Sequence, residues 1–63
     1  MPHFLVMAVV RDNDVLMVKS FEEHELDGAR LYCNMLGERN IYREICLFFL
    51  DYRGDYRLMR RYI

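Results

Sequence analysis

Proline and glycine are scarce in this chain of 63 residues, at one and three. With 54% hydrophobic residues, that scarcity excludes a disordered or linker-like segment and requires a compact fold. Lysine is nearly absent, Lys19 standing alone, so the broad basic footprint of a nucleic-acid-binding domain is missing. Cysteine is limited to Cys33 and Cys46, with no CxxC spacing and no histidine close by. One disulfide is arithmetically possible, but two reduced, buried thiols are expected, since free cysteine behaves as a small hydrophobe. His3, His24, Cys33 and Cys46 have no metal-ligand spacing, so neither metal nor cofactor is expected. No Ser/His/Asp or Cys/His constellation and no phosphate-cradling glycine loop occurs, and an enzyme is not expected. Nothing approaches the roughly 20 apolar residues of a membrane span. The opening MPHFLVMAVVRDND has no basic n-region and no small-residue cleavage site, and a cytosolic location is expected.

What is present is apolar surface in excess of what so short a chain can hide. A domain of this size buries only about 60% of the surface its unfolded form exposes. Small domains compensate with disulfides, metals or oligomerisation, so some apolar surface is expected to meet a partner. The net charge of −1 hides an asymmetry: over residues 12–27 Asp12, Asp14, Glu22, Glu23, Glu25 and Asp27 stand against Lys19, and over residues 52–63 Arg53, Arg57, Arg60 and Arg61 stand against Asp55. Such a dipolar molecule can orient on a charged partner.

HFLVMAVV, RDND and VLMVKSF read as a β-hairpin, with Asp and Asn tolerating the positive φ of a tight turn. The first strand is apolar on both faces, Phe4, Val6, Ala8 and Val10 on one and Leu5, Met7 and Val9 on the other, as in a central strand covered on two sides. Ser20-Phe21-Glu22-Glu23 fits a capping box. It predicts a helix from about Phe21 to Leu36, with Gly37 as its left-handed stop. Leu26, Ala29, Cys33 and Leu36, with Tyr32 beside them, form its core stripe. IYREICLFFL and DYRLMRRYI, joined at Gly54, read as a second hairpin. A helical reading competes there, because Ile41, Ile45, Phe48 and Tyr52 also recur at helical spacing.

The expected fold is α+β: ββαββ, one domain over residues 1–63, a four-stranded antiparallel sheet in the order 2-1-3-4 with one helix on one face. A helix of about 16 residues, roughly 24 Å long, covers a single face. Ile45, Leu47 and Phe49 oppose Cys46, Phe48 and Leu50, so one apolar face lacks a lid within the chain.

Three surfaces are candidates for function. The acidic patch Glu22, Glu23, Glu25 and Asp27 is a candidate partner site, or else a solvated helix start favoured by the macrodipole. Leu31 and Met35, on a helix stripe with His24 and Gly28, and Phe48 and Leu50 on the sheet are candidate partner or dimer contacts, or else scattered surface hydrophobes. Arg53, Tyr56, Arg57, Arg60 and Arg61 have three readings. They protect a sheet edge from illegitimate pairing, form a protein contact rich in Tyr and Arg, or grip a single-stranded nucleic acid by phosphate neutralisation and base stacking. Arg53-Gly54-Asp55 spells an integrin-binding tripeptide, read here as a turn.

Hairpin, acidic helix and hairpin over the whole chain resemble, in overall type, the small accessory proteins of phages and mobile elements. Many of these bind stoichiometrically to host machinery, including defence nucleases and polymerases. The resemblance rests on architecture and on no specific residue, so it transfers no site. It implies an inhibitor or adaptor that occludes a site on a larger, nucleic-acid-handling host protein, with a homodimer expected. A small RNA- or single-strand-binding protein using the Tyr/Arg strand is the alternative.

Overall fold

The computed structural model describes residues 3–63. Strand β1 (Phe4–Val10) turns into β2 (Leu16–Phe21), a short 3₁₀ turn (Glu23–Glu25) leads into helix α1 (Leu26–Arg39), and β3 (Tyr42–Leu50) and β4 (Tyr56–Arg61) close the chain. The strands form one antiparallel sheet in the order β2-β1-β3-β4. This is the expected ββαββ, and residues 41–63 resolve as a hairpin.

Each turn follows from local chemistry. In the first, Asp14 adopts φ 56°, its N–H donates to the Val10 carbonyl and the Val10 N–H donates to the Val15 carbonyl. In the second, the Asp51 carboxylate does the work of a missing backbone partner: Oδ1 accepts from the N–H groups of Arg53 and Asp55, both at 2.9 Å. Gly54 there has φ 89°, which only glycine adopts without strain. The Arg-Gly-Asp tripeptide thus occupies a tight turn.

The start and stop of the helix differ from expectation. Ser20 lies inside β2, and the chain bends two residues later, where the Glu22 N–H donates to Glu25 Oε1 at 2.9 Å. The sheet retains Ser20 and Phe21 because Phe21 pairs with Phe4 and is buried in the core, an apolar contact that outweighs a capping hydroxyl. Gly37 is not the stop. The helix runs on to Arg39, and Asn40 takes the left-handed conformation at φ 53°, its N–H donating to the Gly37 carbonyl. Asparagine tolerates this geometry, and three further residues of helix are gained.

The core lies between α1 and one sheet face. Ala29, Cys33 and Leu36 pack on Phe4, Val6, Ala8, Phe21, Tyr42, Ile45 and Leu47, so the expected stripe is the buried one, with Leu26 and Tyr32 partly buried beside it. Cys33 and Cys46 are both free and buried. Two register shifts, at Val9/Val10 against β3 and at Leu47/Phe48 against β4, each insert one unpaired residue. The first leaves Arg43 out of the ladder and turns Tyr42 onto the helix side, 1% exposed, where its hydroxyl donates to Met17 Sδ at 3.5 Å. The second leaves out Met59 and sets Arg57 and Arg60 on the helix side of β4, opposite Phe49 and Leu47.

Candidate functional site

Cross-strand partners share a face, so the register defines what the uncovered side of the sheet presents. Ser20, Leu5, Phe48 and Leu58 form one row, and Val18, Met7, Cys46 and Arg61 the next. Leu16, Val9 and Glu44 make a third, and Leu50 pairs with Tyr56 beyond the first. Leu5, Met7, Phe48 and Leu50 are half-buried by their neighbours alone, while Leu16, Val18, Tyr56 and Leu58 on the outer strands are exposed. The result is a contiguous apolar sheet face with no second layer over it among the described residues.

Its polar content is small and largely self-neutralised. Arg61 meets Glu44 at 3.5 Å, and Cys46 Sγ lies 3.8 Å from Glu44 Oε1. Burial raises the Cys46 thiol pKa, and the Glu44 charge adds to the effect while Arg61 opposes it. Cys46 is therefore a protonated, apolar component of this face at neutral pH.

The acidic residues Glu22, Glu23, Glu25 and Asp27 are all exposed, the first three in the turn that carries the chain from the β2 edge over the sheet and Asp27 in the first turn of α1. Among the described residues none of the four forms an ion pair. The arginine-bearing turn and strand lie at the opposite edge, so the charge asymmetry of the sequence is laid out across the sheet. The four C-terminal arginines do not converge. Arg57 Nε is bound to Asp51 Oδ2 at 2.9 Å and Arg61 is paired with Glu44. Arg60 stacks over the Tyr62 ring at 4.8 Å and Arg53 over Tyr52 at 5.5 Å. Arg57 and Arg60 face the helix side and Arg61 the open side. Asp51 is held below the usual carboxylate range, chiefly by the Arg57 hydrogen bond and next by the Asp55 N–H.

The candidate contacts Leu31 and Met35 are exposed on the outer surface of α1, and Phe48 and Leu50 lie on the open sheet face. The sheet separates the two pairs, so they make two surfaces. Residues missed from the sequence are those of the hairpin edges, Leu16, Val18 and Leu58, which extend the open face to its full width. Their alternation with Met17 and Lys19 was a readable signal in β2. In β4 the Met59 bulge erased it.

Among the described residues there is no cavity and no cluster of three metal-ligating side chains, and no helix is long and apolar enough to cross a membrane. Comparison with protein-family models, with curated proteins and with solved structures finds no match.

Proposed function

We propose that this protein is a non-catalytic protein-binding module, an inhibitor or adaptor that occludes a site on a larger, nucleic-acid-handling protein. The observation that carries the reading is the open apolar face centred on Met7, Cys46 and Phe48. A two-layer fold with such a face lacks the second layer that would remove it from water. At the entry to α1, the carboxylates of Glu22, Glu23, Glu25 and Asp27, none of them in an ion pair, match a basic groove of the kind that binds phosphate backbones, and would compete with nucleic acid for it.

The test is affinity capture from a nuclease-treated bacterial lysate with the wild type, with Leu58→Lys on the open face, and with the combined Glu22→Lys, Glu23→Lys and Glu25→Lys variant. A protein retained in near-stoichiometric amount by the wild type, lost with Leu58→Lys and weakened by the triple variant is the expected result. Retention equal across all three refutes the assignment of surfaces. A second reading, single-strand nucleic-acid binding, is favoured by Tyr52, 91% exposed, with Arg53 stacked on it, and by exposed Tyr56 on the same hairpin. Recovery only without nuclease, falling steeply with salt, would favour it.

A further inference from the structure

The two edges of the sheet are built differently. The β4 edge carries Arg57, Arg60 and Arg61 and is broken by a register shift at Met59; charge and bulges are the devices that keep edge strands from pairing. The β2 edge has no register shift and a single charged residue. It pairs with β1 in unbroken register from Phe4↔Phe21 to Val9↔Leu16, and Leu16, Met17 and Val18 are 58, 36 and 54% exposed. Its one charge, Lys19, is turned away from the edge: the ammonium lies over the Phe21 and Tyr32 rings at 5.6 and 5.1 Å.

The hydrogen-bond pattern fixes which backbone groups this edge offers. The Val10 N–H donates to the Val15 carbonyl, and the residues that bond inward alternate along an antiparallel ladder. Val15, Met17 and Lys19 therefore bond inward to β1, while Leu16, Val18 and Ser20 turn N–H and C=O outward. We infer that the β2 edge pairs antiparallel with the β2 edge of a second copy of this chain, about a two-fold axis at Val18. In that register Val18 faces its own copy and Leu16 faces Ser20, so every outward N–H of the strand meets an outward C=O. Lys19 faces Met17 and not another lysine, so no like charges oppose one another within the paired strands. Just beyond the paired strands Asp14 faces Glu22 of the second copy, and there the Asp14 charge is already bound to Arg43 at 2.8 Å. The dimer is one eight-stranded sheet whose two open faces form a continuous platform. It specifies the homodimer expected from the sequence, and it stands or falls apart from the larger partner.

Val18→Pro removes one outward N–H and no bond of the internal ladder, a change an edge strand tolerates; Val18→Lys sets two ammonium groups against each other at the axis. Sedimentation equilibrium of the wild type from about 10 µM to 1 mM, the range in which a small interface populates, is expected to give a monomer–dimer equilibrium. Both variants are expected to weaken it at least tenfold with unchanged far-ultraviolet circular dichroism. Amide exchange at Leu16, Val18 and Ser20 should slow with concentration in the wild type alone. Leu58→Lys, on the far edge, leaves the dimer intact. A wild type monomeric throughout, or a dimer that survives Val18→Pro, overturns the inference. A dimer lost only with Leu58→Lys also overturns it, in favour of face-to-face stacking. Partner capture that fails while dimerisation holds would count against the protein-binding reading and not against this one.

Discussion

The two faces of the sheet are made from the same strands and differ in what lies over them. On the helix side Val6, Ile45 and Leu47 are at most 1% exposed. On the other side their neighbours Met7 and Phe48 are only half-buried, and Leu58 at the edge is 52% exposed. Composition does not distinguish the faces, since both are lined by aliphatic and aromatic side chains. The difference is coverage: a helix of 14 residues, about 21 Å long, roofs one face, and among the described residues no element packs on the second. Stability is therefore concentrated on one side of the sheet, and the other side is available for recognition.

The largest effect expected from this comparison is at Leu47, the buried centre of the covered face. Leu47→Ala should cost about 2–5 kcal/mol in urea or guanidinium unfolding. The whole stability of a domain this size is roughly 3–9 kcal/mol, so the variant loses a large share of it. An intermediate effect comes from the helix side of the core through Cys33, whose thiol is pushed up to about 11 by burial first and by the nearby Cys46 second. Its folded pKa lies above the free-thiol value of 9.0, so between those values the unfolded chain releases the proton and the folded chain keeps it. Stability falls as pH rises through that window. Over the full interval the loss is on the order of 2–3 kcal/mol, and Cys33→Ala, compared with the wild type from pH 7 to 10.5, should remove that part of the slope. An unchanged slope would show that the thiol is not shielded as its place under α1 requires. The smallest effect is on the open face. Leu58→Ser should change stability by less than about 1 kcal/mol, measured at concentrations too low for association. Equal losses at Leu47 and Leu58 would break the comparison between the faces.

Much of this arrangement was legible in the residues. Strand order followed from placing the two most apolar strands in the middle, and the helix stripe Ala29, Cys33 and Leu36 followed from its spacing. The capping box was read two residues early, at Ser20 where Glu22 opens the 3₁₀ turn. Helix α1 itself begins at Leu26, five residues after the expected start, while its stop was read three residues early. Ser20 and Gly37 are good local signals, but Phe21 belongs to the core, and Asn40 supplies a left-handed stop that glycine does not monopolise. Tyr42 could not be assigned to the core by alternation, because it shares parity with Glu44 and Cys46 and only the bulge at Arg43 moves it to the helix side. The same limit applies to the arginines. Their clustering at the end of the sequence suggests a common surface, whereas the Met59 bulge and the carboxylates of Asp51 and Glu44 distribute them over two faces and a turn.

The sequence by itself determined the elements, their order in the sheet and the surplus of apolar surface, because alternation, helical spacing and the ratio of surface to volume are properties of the chain. Only the tertiary structure decided where that surplus lies, which edge is guarded and which charges are already spoken for. Those depend on register, and each single-residue insertion in a ladder reverses the side on which the residues beyond it point.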